Sequence, residues 1–125
     1  MAVTVKDMME EANAVVEPID TNGARALLEQ GALLLDVRDT VELQQSGLAS
    51  GAHHIPRSML EFRADSALKS HDPELRKERP VILYCASGGR SALAGKLLRD
   101  MGYQEVYNLG GFSDWVNGGG ETEPL

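Results

Sequence analysis

The 125-residue sequence has no second cysteine, no metal-ligand spacing, no surplus of basic charge and no long apolar run. Each absence removes a class of protein. Cys85 is the lone cysteine, so an intramolecular disulfide is impossible and disulfide-framework scaffolds are excluded. With one Cys and no His-x-x-x-His spacing, no metal site is expected. His53 and His54 are adjacent, and on a strand their side chains would point to opposite faces and could not chelate together. Twelve basic residues against 19 acidic ones leave a net charge of -7, the wrong balance for nucleic acid. Apolar stretches such as Ala32 to Leu35 are far too short to span a membrane. Met1 to Val16 carries Asp7, Glu10 and Glu11, whereas a signal peptide needs a basic start and an unbroken apolar run. The expectation is a cytoplasmic protein whose thiol stays reduced, with neither nucleic acid nor membrane as partner.

What remains is ordinary in bulk, with 42% apolar and 25% charged residues in a one-domain length. Val5, Met8, Met9, Ala12, Val15 and Val16 recur at helical spacing, and the two methionines read as helix packing. Glu17-Pro18 breaks that helix, and Ile19 can begin a short strand. Asp20 and Thr21 are N-cap candidates for a second helix that stops at Gly31. Ala32 to Arg38 reads as a buried strand, and Asp39 or Thr40 can cap a short helix after it. Ser46 to Ala52 reads as loop, His53 to Ile55 as a weak strand, and Met59 to Phe62 as a helical turn. Asp65 to Arg79 is polar and reads as surface loop with at most one short helix, with His71 solvated. Val81 to Tyr84 is a β-branched and aromatic run of the interior-strand type. Ala92, Leu93, Ala94, Leu97, Leu98 and Met101 follow at helical period, with Gly102 as the stop. Glu105 to Asn108 forms a last strand and Phe112 to Val116 a closing helix. There is no internal repeat. Strands alternating with helices predict an α/β fold with a central, mostly parallel sheet of about five strands and helices on both faces. The expected division is an N-terminal amphipathic helix in 1–17, the main domain in 18–117 and a flexible tail in 118–125.

The chemistry concentrates at the end of the strongest strand. Cys85 falls where open α/β sheets keep their ligand sites, at a strand's carboxyl end. Cys85-Ala86-Ser87-Gly88-Gly89-Arg90-Ser91 is a small glycine-bearing loop leading into a helix. Its N–H groups can turn inward as an anion cradle, and the helix N-terminus and Arg90 add positive charge. Each effect favours the thiolate, which is the nucleophile. Ser87 and Ser91 could donate hydrogen bonds to the sulfur or to a bound anion. A buried core cysteine is the ordinary reading of a lone Cys, yet such a residue needs no glycines, arginine and helix start directly after it.

These residues resemble a family. Cys85 to Ser91 looks like the active-site loop of the rhodanese (thiosulfate sulfurtransferase) family. Leu34-Leu35-Asp36-Val37-Arg38 resembles its early strand motif, and Asn108-Leu109-Gly110-Gly111-Phe112 through Trp115 its closing signature. Gly47 to Ala52 sits where the family usually reads Gly-His-Ile-Pro-Gly-Ala, and here Leu48 and Ser50 replace the histidine and proline. The resemblance implies a rhodanese-like fold and a sulfurtransferase. Cys85 would take a sulfane sulfur from thiosulfate or an organic persulfide as its own persulfide. It would then pass that sulfur to a thiol, to cyanide or to a protein acceptor, with no cofactor. Ala86, Ser87, Gly88, Gly89, Arg90 and Ser91 would bind the substrate, with Arg90 chiefly holding the loop and neutralising charge. No basic residue lies between Cys85 and Arg90, which disfavours the thiosulfate dianion as donor.

Asp36 and Arg38 share a strand face and are expected as a buried pair near the site that fixes strand ends and the adjoining loop. Tyr84 is expected buried without a catalytic role, and Phe112 and Trp115 as core anchors. Two other functions compete. A cysteine phosphatase or arsenate reductase also sets Cys and Arg around an anion loop, but with five intervening residues rather than the four here. A non-catalytic rhodanese-like docking or sulfur-carrier module often lacks the nucleophile that Cys85 supplies.

Overall fold

The computed structural model describes residues 2–125. Five parallel strands form one sheet in the order β1 (Glu17–Pro18), β6 (Val106–Gly111), β5 (Val81–Cys85), β2 (Leu33–Asp36) and β4 (His53–His54). β2 and β5 are central and buried at every position, which is why Leu33–Leu35 and Val81–Cys85 read as continuous apolar runs rather than alternating ones. Leu33, Leu35, Val81, Leu83 and Cys85 face one core with Ala94, Leu98 and Tyr103, under α4 (Leu60–Ala64) and α5 (Gly89–Asp100). Leu34, Ile82 and Tyr84 face the other core with Ala24 of α2 (Thr21–Glu29) and Trp115 of α6 (Phe112–Asn117). The expected α/β architecture with helices on both faces is therefore the observed one. No helix among the described residues is long and apolar enough to cross a membrane.

Local chemistry explains the boundaries. α1 (Val5–Val15) starts at a Thr4–Asp7 capping box and packs on α5. Of its apolar stripe Ala12 is buried, but Met8 is more exposed than expected, at a cleft against Leu93 and Leu97. The edge strand falls on Glu17–Pro18 itself, one step before the expected Ile19, because an edge tolerates a residue without an N–H. α3 (Thr40–Ser46) follows β2, with Asp39 as N-cap.

Three expectations are corrected. Residues 118–125 are not a flexible tail: β7 (Thr122–Glu123) pairs antiparallel with β3 (Leu48–Ala49), inside the stretch expected as loop. The Trp115 indole N–H donates to Glu121 O at 2.7 Å, and Gly120 lies against that ring too closely for any side chain. Ser50 N–H donates to Glu121 O at 2.9 Å, a bond that the proline usual in the family at this turn could not make. Second, residues 65–79 form turns that are not wholly at the surface. They are held by buried Leu75 and by buried Asp72, which accepts from His53, from Arg63 Nη2 at 3.1 Å and from Glu74 N–H at 2.9 Å. Third, His71 is half-buried rather than solvated, its Nε2 paired with Leu75 O at 3.0 Å. The neighbouring imidazoles diverge as strand geometry requires, His53 to Asp72 and His54 Nε2 to Arg38 O at 2.7 Å.

Candidate active site

Cys85 is the last residue of β5 and 1% exposed, on the floor of the loop that carries the chain into α5. The loop turns at Gly88, whose φ of 100° favours glycine and whose N–H donates to Cys85 Sγ at 3.0 Å. Ser91 Oγ lies 3.4 Å from the same sulfur, inside the first turn of α5. Ala86 and Ser87 are exposed on the rim, Gly89 is half-buried, and a Cβ on Gly89 would meet open space. The donors within hydrogen-bond distance of the sulfur are Gly88 N–H and Ser91 Oγ rather than the Ser87 hydroxyl, and the Ser87 N–H adds to the field that favours the thiolate.

Burial pushes the Cys85 thiol up, but hydrogen bonds from the Ser91 hydroxyl and from the Ser91, Gly88 and Ser87 N–H groups outweigh it. The thiol is held below its ordinary value. The thiolate therefore persists to lower pH than in an ordinary cysteine, and alkylation by iodoacetamide should rise with pH through that lowered pKa. Ser91→Ala removes one stabiliser of the charged form. The midpoint of the alkylation profile should move to higher pH with the fold intact; an unmoved midpoint would show that the hydroxyl does not act on the sulfur.

The geometry adds Asn108, which sequence patterning leaves as an ordinary strand residue. β6 pairs Leu83 with Asn108 and Tyr84 with Gly110, so Leu109 is an extra residue that kinks β6 beside the loop. Asn108 Oδ1 accepts from Ser91 Oγ at 2.7 Å and from Gly110 N–H at 3.0 Å, and its Nδ2 donates to Gly88 O at 3.1 Å. One amide thus ties helix, loop and kink together. The Ser91 hydroxyl has one proton to share between Asn108 Oδ1 and Cys85 Sγ. A polar residue two positions before Gly110 in an otherwise apolar strand was the available signal.

Arg90 acts on the sulfur through its charge and not through a hydrogen bond. Its Nη1 and Nη2 donate to Glu42 Oε1 at 2.6 Å and Oε2 at 3.0 Å, clamping the loop to α3. Glu42 is itself fixed, because Oε1 also accepts from Asp39 N–H at 3.1 Å in the capping box. The Arg90 bond chiefly lowers the Glu42 carboxyl to about 2, and Glu42 in turn raises Arg90 above its ordinary value. Glu42, missed in the sequence, shows there only as the third residue after an N-cap aspartate.

Asp36 and Arg38 form the expected buried pair, with Arg38 Nη2 to Asp36 Oδ2 at 2.8 Å and both side chains nearly inaccessible. Arg38 continues to Ser46 Oγ and Gly47 O, each at 2.9 Å, and its guanidinium lies 4.5 Å from the Phe112 ring centroid. Its charge is spent on holding the turn after α3, and Tyr84 is buried beside it, its hydroxyl accepting from Ala49 N–H at 3.0 Å. Trp115 is buried as a core anchor.

Residues 20–118 match the model of the rhodanese-like domain family. The chain is 41% identical over 85 residues to YqhL, an uncharacterized protein of Bacillus subtilis; the match covers 67% of this chain and 60% of that protein. It is 33% identical over 93 residues to the thiosulfate sulfurtransferase GlpE of Pseudomonas savastanoi pv. phaseolicola, covering 74% of this chain and 79% of that one. Among solved structures, a Rhodopseudomonas palustris protein of unknown function, described as a possible tyrosine phosphatase, superposes with a TM-score of 0.88. That pair is 35% identical over 98% of this chain and 96% of the other. With the sheet, the thiol loop and a family match over most of its length, the chain belongs to the rhodanese-like domain family.

Proposed function

We propose that the protein is a sulfurtransferase that carries a sulfane sulfur on Cys85 as a persulfide, in the reducing cytoplasm. The observation that carries this reading is a buried sulfur whose charged form is held by inward-turned N–H groups and the Ser91 hydroxyl. Such donors act on a persulfide's terminal sulfur as an oxyanion hole acts on oxygen. The thiolate attacks the outer sulfur of the donor, the inner S–S bond breaks, and sulfite leaves when the donor is thiosulfate. A thiol or cyanide then attacks the terminal sulfur and restores the thiolate. Ala86, Ser87, Gly88, Gly89, Arg90 and Ser91 form the cradle that receives the donor. The GlpE relative named as a thiosulfate sulfurtransferase supports the same reading.

Phosphatase chemistry fits less well. Cys85 is 1% exposed, so a slender terminal sulfur reaches it more readily than a phosphorus shielded by its own oxygens. Only four residues separate Cys85 from Arg90, and both terminal nitrogens of Arg90 are bound to Glu42. The test is turnover from thiosulfate or an organic persulfide to cyanide. Expected are thiocyanate formation and parallel reciprocal plots, the pattern of a two-step covalent cycle, with no hydrolysis of aryl phosphates. Phosphate release without thiocyanate would reverse the assignment.

A further inference from the structure

The cations contributed by the loop and by the strand motif are both already paired. Ala86 to Gly89 carry no charge, Arg90 is bound through both terminal nitrogens by Glu42, and Arg38 is neutralised by Asp36 beneath Phe112. Asp39, near enough to Arg90 to act on its charge, adds another carboxylate, and the whole protein carries -7. A doubly charged donor therefore approaches a site whose loop and strand arginines are both already engaged by carboxylates, against an unfavourable overall field.

Resting on the sulfurtransferase reading, we propose that Glu42 sets the charge of the donor: by occupying the Arg90 guanidinium it makes this a site for neutral or singly charged sulfane-sulfur donors and a poor one for the thiosulfate dianion. Glu42 touches no reacting atom. It acts through Arg90 and is a specificity residue by position, held there by the Asp39 capping box.

Methanethiosulfonate isolates the charge, since it is thiosulfate with one anionic oxygen replaced by methyl. In both cases the Cys85 thiolate bonds to the terminal sulfur and that sulfur's bond to the central sulfur breaks. Sulfite leaves with two negative charges from thiosulfate, or methanesulfinate with one from methanethiosulfonate. The leaving groups differ in reactivity, so the reading is the change in the ratio of kcat/KM values between variants. Glu42→Gln keeps the side chain's size and frees one positive charge, and it should shift the ratio toward thiosulfate by about tenfold at low salt. That gain should shrink as ionic strength rises, which simple loosening of the loop would not produce. Gly89→Lys adds a cation to the loop at a position where a Cβ meets open space, and should move the ratio the same way. If both donors load Cys85 but neither variant changes the ratio, the charge proposal is overturned while the transferase stands. If neither donor loads Cys85 in the wild type, the sulfurtransferase reading fails and the selectivity falls with it.

Discussion

Cys85→Ser is expected to reduce sulfur transfer by on the order of 10⁴-fold or more, to the uncatalysed background, while leaving the fold intact. The nucleophile is the thiolate, and among the described residues the hydrogen-bond partners at this position, Gly88 N–H and Ser91 Oγ, include no base to deprotonate a serine hydroxyl. Gly88 N–H and Ser91 Oγ remain available to a hydroxyl, and the removed volume is small, so a thermal melt should be nearly unchanged. Thiocyanate formation assayed beside circular dichroism separates the two effects. A variant that retains transfer would place the chemistry elsewhere.

Gly111→Ala should be the most damaging substitution that removes no functional group. Gly111 lies opposite Cys85 across the β5–β6 ladder. A Cβ there would stand 2.9 Å from the Ala86 carbonyl carbon and 3.3 Å from Ser87 Cα, nearer still to the Ala86 oxygen. All of these are backbone atoms, so no side chain can swing away and the loop itself must shift. Overpacking of this kind costs roughly 1–3 kcal/mol of stability. Moving the cradle N–H groups off the sulfur should lower kcat by about 100-fold, as loss of an oxyanion-hole donor does. Gly89→Ala is the control, because its Cβ meets open space and its backbone does not require glycine. Equal behaviour of the two variants would mean that loop geometry does not govern the rate.

The sheet was legible because β2 and β5 are buried on both faces, which leaves unbroken apolar runs at Leu33–Leu35 and Val81–Cys85. The thiol loop was legible because its signals are local, with cysteine, glycines, arginine and helix start within seven positions. The parts that escaped are those set by distant placement. Glu42 meets Arg90 across 48 positions, and Asn108 meets Ser91 across 17. No periodicity reports such pairings, and a polar residue on a strand or short helix reads as surface. The C-terminal segment misled for a different reason. Its glycines suggest freedom, but Gly120 is there to lie against Trp115, and β7 finds a partner in β3. Composition records how easily a segment bends, not what lies beside it.

Sulfur loading of Cys85 tests the central claim most directly. The purified protein would be incubated with thiosulfate or an organic persulfide, and its intact mass and released sulfite measured beside Cys85→Ser. Expected is a gain of one sulfur atom's mass on the wild type alone, mapped to Cys85 and removed by cyanide with thiocyanate formed. A Cys85 that stays unmodified by both donors would contradict the sulfurtransferase assignment.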